Sequence, residues 1–291
     1  MSTSTTEKVG VVGCGLMGAG IAETCARSGF SVTVVETTTA AADAGRRRLE
    51  TSLTKAEARG KVASAAEILD RIQIVEDVDA LADRSLVIEA IMEDEGAKTA
   101  LFRRLDAVVA DPEAILASNT SSIPIIKLGV VTERPQNVMG IHFFNPVPVL
   151  SLVELVPSYL TAQTTTERAR TFAQALGKHP IDCKDRAGFV VNALLIPFLL
   201  AAIRMVEQGV ATPEDIDEGL VRGCAHPQGP LALSDLIGLD TVRAIADSLY
   251  EEFKEPQYAC PPMLARMVDA GLLGRKSGRG FFDYSTRSRQ P

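Results

Sequence analysis

A mainly parallel α/β sheet followed by an all-α region is the architecture this sequence predicts, on three observations. An apolar strand, Val9 to Val12, runs straight into the glycine-rich stretch Gly13-Cys14-Gly15-Leu16-Met17-Gly18. Strand-like and helix-like segments then alternate through the first 184 residues, the pattern of consecutive βα units. After about Arg186 the apolar period becomes helical throughout, with neither a repeat nor a low-complexity linker at the change. Two domains are therefore expected, 1–185 and 186–291, divided by a change of period and not of composition.

In the first domain, the opening strand is followed by a helix, Met17 to about Ser28, and by a second β-branched strand, Ser31 to Glu36. Ala40 to about Ala66 reads as one long polar helical stretch, more than a simple mononucleotide fold needs. Ile72 to Val75 and Leu86 to Ile91 are apolar runs of strand length, Glu95 to Val109 a helix, and Ala114 to Thr120 another strand. Val138 to Phe144 and Leu152 to Val156 add two strands, with Asn145-Pro146-Val147-Pro148 a turn or loop between them. In the second domain, Gly188 to Gln208 is a long apolar helix that Pro197 should kink, because proline lacks the N–H for one backbone bond. Thr212-Pro213-Glu214-Asp215 resembles a capped helix start with proline at the first helical position, and Leu239 to Phe253 and Met263 to Ala270 complete the set.

The glycine-rich turn has the context that gives such a motif meaning. A strand precedes it, a helix follows, and Glu36 ends the next strand eighteen residues after Gly18. Glycines let the backbone turn sharply and approach a pyrophosphate, and the helix N-terminus offers unpaired N–H groups, so Gly13, Gly15, Leu16, Met17 and Gly18 form a candidate phosphate cradle of a Rossmann-type domain. The Glu36 carboxylate can accept from two ribose hydroxyls but would repel a 2′-phosphate, and Thr37, Thr38 and Thr39 supply no arginine. NAD is favoured over NADP.

A formal charge of −7 argues against general affinity for nucleic acid or an anionic membrane. One local exception stands out: Arg46, Arg47, Arg48, Lys55, Arg59 and Lys61 face only Asp43, Glu50 and Glu57 in that stretch, which is either a solvated helix face or a docking place for a phosphorylated ligand. Cys14, Cys25, Cys183, Cys224 and Cys260 make no CxxC pair and no even framework, so neither a metal site nor disulfides are indicated and a reducing, cytoplasmic setting is expected. Met1 to Lys8 lacks the apolar stretch of a signal peptide, and the greasiest segment, Ala193 to Ile203, is too short to cross a bilayer.

Three histidines can be weighed individually. His179 and His226 stand beside prolines and read as structural, whereas His142 lies at the end of the strand Val138 to Ile141, where ligand crevices of parallel sheets open. Position alone is equally compatible with a packed histidine. Transfer of hydride from an alcohol needs a base for the hydroxyl proton, which histidine suits in both directions. Glu154 can partner it if the two strands are neighbours. Ser118-Asn119-Thr120-Ser121-Ser122 gathers small hydrogen-bonding groups at another strand end, a composition also typical of a helix cap.

At this point a resemblance becomes specific. GCGLMGAGIA (13–22), ASNTSS (117–122), GIHFFNPVP (140–148), LVELV (152–156), KDRAGFVVN (184–192) and GRKSGRGFF (274–282) resemble, in order and over almost the whole chain, the short-chain (S)-3-hydroxyacyl-CoA dehydrogenases, especially the bacterial 3-hydroxybutyryl-CoA enzymes. The resemblance implies an NAD-dependent oxidoreductase of fatty acid and lipid metabolism, with a substrate-binding and dimerisation domain in the helical half. It implies that His142 is the catalytic base, that Glu154 orients it, and that Ser121 and Asn192 hydrogen-bond the reacting oxygen and thioester region. It further implies cofactor contacts from Glu89 or Glu93, Lys98, Asn119, Asn145 and Lys276, and coenzyme A contacts from Ser52 and Arg59, the latter often lysine in the family. Asp94-Glu95-Gly96-Ala97 departs from the family pattern, and the cost of glycine inside a helix suggests a helix starting after Gly96. Alternatives left open are a related enzyme acting on free 3-hydroxy acids or carnitine esters and a non-catalytic NAD-binding protein; a serine hydrolase built on Ser121 lacks a GxSxG elbow.

Overall fold

The computed structural model describes residues 8–285, so the polar lead-in Met1 to Glu7 lies outside the described residues. The described chain divides into two compact units between Arg186 and Ala187. The first unit runs β1 (Lys8–Val12), α1 (Leu16–Arg27), β2 (Ser31–Val35), α2 (Thr39–Ala58), α3 (Ala65–Leu69), β3 (Ile72–Val75), β4 (Leu86–Glu89), α4 (Glu95–Val108), β5 (Ile115–Ser118), α5 (Ile125–Gly129), β6 (Val138–Phe143), β7 (Leu152–Pro157), α6 (Gln163–Ala175) and β8 (His179–Asp182). Its strands form one sheet in the order β3-β2-β1-β4-β5-β6-β7-β8. All pairs are parallel except β6 with β7. Central strands read as unbroken apolar runs because helices cover both faces, and every residue of β4, β5 and β6 is buried. The order reverses at β1, between β2 on one side and β4 on the other, which is where such sheets open a crevice at their carboxyl ends.

The single long helix expected from Ala40 to Ala66 is two. Gly60, at φ +64°, turns the chain in the left-handed region after α2, and the Ser64 hydroxyl accepts from the Glu67 N–H to start α3. Helix α4 begins at Glu95, not after Gly96, because the Asp94 side chain caps it by accepting from the Ala97 N–H at 2.7 Å. Gly96 thus falls in the first turn. Helix α6, which the alternation of elements leaves unplaced, buries Phe172 edge-on to Phe30, with ring centroids 5.4 Å apart.

The second unit contains α7 (Val191–Glu207), α8 (Pro213–Cys224), α9 (Pro230–Ile237), α10 (Leu239–Phe253) and α11 (Pro262–Asp269). Ile196, Leu199, Leu200, Ile203, Val242 and Leu249 form the centre of its core. Helix α7 starts later than expected because Gly188 and Phe189 both take positive φ. It continues through Pro197, where packing of the flanking apolar residues outweighs one missing backbone bond. Thr212 caps α8 by accepting from the Asp215 N–H, with Pro213 at the first position as expected. Helix α9 has no capping side chain of its own; Asp217 of α8 accepts from the N–H groups of Leu231 and Ala232 at 2.8 and 2.9 Å. No helix of the described residues is long and apolar enough to cross a membrane.

Candidate active site

The cradle is built by close approach. Gly13 turns at φ +95°, and a Cβ there would lie 2.6 Å from the Ala90 carbonyl oxygen; one at Gly18 would lie 1.9 Å from that of Gly13. A side chain at Gly18 would force α1 from the end of β1, and one at Gly13 would push the turn off the segment that follows β4. Gly15, in contrast, faces open space, with no atom within 4 Å of where its Cβ would be. No side chain caps α1 at Gly15 and no acid stands in its first turn, so its first N–H groups are available to an anion. Leu16 is exposed and Met17 half-buried at the same turn. These features fit a dinucleotide pyrophosphate.

Glu36, just beyond β2, accepts from the Cys14 N–H at 2.5 Å and from the Thr37 N–H at 3.1 Å, which holds its carboxylate beside the turn. The Cys14 thiol is pushed up to about 11 by burial, with the Glu36 charge adding to it, so it stays neutral. Its sulfur packs where a side chain at residue 45 would be, a Cβ on Gly45 falling 2.4 Å from it.

His142 and Glu154 meet because β6 and β7 are antiparallel neighbours and the two residues are register partners. Nδ1 of His142 lies 2.7 Å from Oε2 of Glu154, which is fully buried. An ionised carboxylate can only accept, so it selects the tautomer with the proton on Nδ1 and leaves Nε2 the basic nitrogen. The Phe144 ring flanks the imidazole at a centroid distance of 4.6 Å. The carbonyl oxygen of the Asn119 side chain accepts from the Phe143 N–H at 2.8 Å, bracing the strand end that bears the histidine.

Glu89 and Glu93 both meet Lys98. Its amine, 1% exposed, lies 2.8 Å from each carboxylate. Glu89 is enclosed by protein donors, among them Ser118 Oγ at 2.5 Å and the Ile91 N–H at 2.8 Å. Glu93 reaches outward and gathers the next strand end: its Oε1 accepts from the Ser121 N–H at 3.0 Å, from Ser122 Oγ at 3.2 Å and from the Thr120 hydroxyl. Burial alone would raise the Glu93 carboxyl, but the Lys98 ammonium and these hydrogen bonds outweigh it and hold the group below the usual carboxylate range. Ser118 is readable in the sequence only as part of a polar cluster; the β4–β5 register, which sets it opposite Glu89, makes it a donor to that carboxylate.

The basic stretch divides by helical phase. Arg47, Arg48, Ser52 and Lys55 lie on one face of α2 and line a groove of about 580 Å³, with Asn145 to Pro148 as the opposite wall and Leu16, Ala19 and Gly20 of α1 also lining it. Arg48 also donates to the Cys14 carbonyl at 3.2 Å, at the edge of the glycine turn. Among the described residues no carboxylate lines this groove, and Arg46, Arg59 and Lys61 do not line it. Arg59 is the residue that ends α2. Asn192 and Lys276 belong to the second unit, Asn192 in the first turn of α7 and Lys276 in a short turn, its amine 2.5 Å from the Asp240 carboxylate.

A cradle shaped for a dinucleotide and a histidine–carboxylate pair at a nearby strand end define a nicotinamide-dependent oxidoreductase. Residues 8–186 match the family described as 3-hydroxyacyl-CoA dehydrogenase, NAD binding domain, and residues 188–284 match 3-hydroxyacyl-CoA dehydrogenase, C-terminal domain. The chain belongs to the 3-hydroxyacyl-CoA dehydrogenase family, and its cofactor is NAD. It is 56% identical over 281 residues to the 3-hydroxybutyryl-CoA dehydrogenase of Mycobacterium tuberculosis, spanning 96% of this chain and 98% of that one. Among solved structures it superposes on M. tuberculosis FadB2 with a TM-score of 0.94 at 56% identity, over 96% of this chain and 99% of the other. For the (S)-3-hydroxybutyryl-CoA dehydrogenase PaaH1 of Ralstonia eutropha the TM-score is 0.91 at 43% identity, over 97% and 100%.

Proposed function

We propose that this NAD-dependent dehydrogenase interconverts (S)-3-hydroxyacyl-CoA and 3-ketoacyl-CoA, with the four-carbon pair 3-hydroxybutyryl-CoA and acetoacetyl-CoA as its preferred substrates, and that His142 handles the proton. The observation that carries the reading is the 2.7 Å contact between His142 Nδ1 and a fully buried Glu154 at the end of a sheet whose first turn cradles a dinucleotide. NAD, held by the Gly13–Gly18 turn and Glu36, would supply the hydride acceptor for C3 of the substrate and, in its reduced form, the hydride donor. His142 takes the C3 hydroxyl proton on Nε2 as the carbonyl forms, and gives it back on reduction. Glu154 holds the imidazole in the tautomer that can accept there, and its negative charge offsets the positive charge the ring acquires. Ser121 and Asn145 supply neutral hydrogen bonds that orient the reacting oxygen and the nicotinamide.

Gly13, Gly15, Gly18 and Glu36 hold the pyrophosphate and adenosine ribose. Glu93, the more exposed of the two carboxylates on Lys98, reaches the cofactor with Asn119, and Glu89 and Lys98 act from beneath through Glu93. Ser52 binds the coenzyme A handle. Arg47, Arg48 and Lys55 provide its phosphates with a cationic wall, and Arg59 does so from the end of α2. Three cations and, among the described residues, no carboxylate in one groove favour a phosphorylated acyl carrier over a free hydroxy acid or a carnitine ester. The enzyme works as a cytoplasmic homodimer: its five cysteines make no CxxC pair and no even framework, and Val190, Leu194 and Leu236 expose apolar side chains around one groove of the second unit.

The test is a spectrophotometric assay of NADH with acetoacetyl-CoA and with acetoacetate. His142→Gln should lose at least about 100-fold in kcat while NADH binding stays near normal. Near-parental turnover in that variant removes the histidine from the mechanism, and equal use of acetoacetate removes the coenzyme A handle. Sedimentation decides the dimer.

A further inference from the structure

We infer that Lys178 is a positioning residue for the dehydrogenase site: its ammonium group fastens the loop that carries Asn145 and walls the groove opposite α2. The link to turnover rests on the role proposed above for Asn145; the fastening itself does not. Residues 144–151 join β6 to β7 without strand structure of their own. Part of their shape is internal, since Val149 and Leu150 both donate backbone N–H groups to the Pro146 carbonyl, at 2.9 and 3.0 Å. From one side the loop leans on α1, where Val147 is buried against the bare backbone of Gly20; a Cβ there would come within 2.9 Å of Val147 Cβ. From the other side it is held by the segment between α6 and β8. The His179 N–H donates to the Ser151 carbonyl at 2.7 Å, and Lys178 Nζ donates to the carbonyls of both Leu150, at 2.8 Å, and Val147.

One cation therefore ties two carbonyls of the same loop, three residues apart. A half-buried ammonium is an expensive way to hold a surface turn. Burial draws Lys178 below the usual lysine range, and Arg27 nearby adds repulsion, so the group sits where it does because two carbonyl dipoles accept from it. What those carbonyls share is a loop of which Asn145 to Pro148, Val147 included, line the groove. Without the clamp, the backbone N–H and carbonyl groups around Pro146 have water as an alternative partner. Asn145 then samples positions away from the one in which it works.

Lys178→Met keeps the length of the stem and removes every donor, whereas Lys178→Arg keeps the charge and offers a fork that can serve two acceptors. With acetoacetyl-CoA and NADH, Lys178→Met should lower kcat by about 10- to 100-fold, the scale of a misplaced catalytic contact, with little change in Tm. Lys178→Arg should recover most of the loss. Gly20→Ala, which pushes Val147 from the α1 side, should reproduce the kinetic defect. Limited proteolysis gives a readout independent of turnover: cleavage within 144–151 should be faster in Lys178→Met than in the parent. The clamp is refuted if Lys178→Met keeps the parental kcat and cleavage rate, or if Lys178→Arg is as impaired as Lys178→Met at equal Tm. A parent enzyme inactive on acetoacetyl-CoA, with loop cleavage still accelerated by Lys178→Met, overturns the functional reading and leaves the clamp standing.

Discussion

Replacing Glu154 by glutamine removes one negative charge, and almost no volume, from beside His142. The carboxylate oxygen lies 2.7 Å from Nδ1 and the residue is fully buried, so its charge acts on the ring with little screening by water. Taking about 4 Å between the two charge centres and an effective dielectric of about 20, the attraction to an imidazolium is about 4 kcal/mol. The amide can still accept from Nδ1–H, which returns about 1 kcal/mol. A net loss of about 3 kcal/mol, felt when the ring is protonated and not when it is neutral, corresponds to about 100-fold in kcat, rising towards about 1000-fold if the amide turns its NH₂ to the ring and fixes the other tautomer. The assay is steady-state oxidation of NADH by acetoacetyl-CoA, with NADH affinity read from its own fluorescence and Tm measured in parallel. Affinity and Tm should stay near parental values. A kcat within about threefold of the parent would show that the charge on Glu154 is not coupled to the reacting proton, since that is under 1 kcal/mol, and the acid–base reading would fall with it.

Lys98→Met should destabilise the protein by about 3–5 kcal/mol in urea denaturation, because it leaves Glu89 and Glu93 facing one another without their cation; a smaller effect than from surface lysines such as Lys127 would refute the network. Glu36→Ala should raise KM for NADH and shrink the preference over NADPH by about tenfold or more, by removing both the ribose acceptor and the charge that repels a 2′-phosphate; an unchanged preference would place nucleotide selection elsewhere. Acid unfolding should report Glu93. Its carboxyl is held below the usual range in the folded state, so its stabilising contribution is complete above the ordinary glutamate value of about 4.3 and is lost as pH falls through the lower folded value. Glu93→Gln should flatten that part of the acid stability profile, and a parental slope would count against the Lys98 contact.

The parallel sheet, the helical second half and the glycine cradle with Glu36 are all legible in the sequence. Each depends on residues close along the chain: a β-branched run, a glycine that must turn or be passed closely, an acid one element later. Local chemistry also marks the start of α8, since Thr212 and Pro213 carry their own signal for a first turn. It fails where the partner is distant. Helix α9 is capped by Asp217 and the first turn of α5 by Asp185, whose carboxylate accepts from the Ile125 and Ile126 N–H groups across about 60 positions of sequence. Pro230 marks the start of α9 locally, but nothing next to either helix announces the carboxylate that caps it.

The site divides in the same way. That His142 stands at a strand end follows from the apolar run before it, but its pairing with Glu154 needed an antiparallel neighbour in one register, and a slip of one residue would turn either side chain to the other face. Sequence alone leaves Glu89 and Glu93 as alternatives and six basic residues as one patch. Tertiary structure sends Lys98 inward to both carboxylates and splits the patch, placing Arg47, Arg48 and Lys55 along a groove that Arg59 does not line. Periodicity and turn chemistry are properties of neighbours in the chain, whereas register, helix phase and the destination of a long side chain are settled by which surfaces exclude water together. The sequence determined the fold class and the cofactor cradle, and packing decided which groups stand within reach of one another.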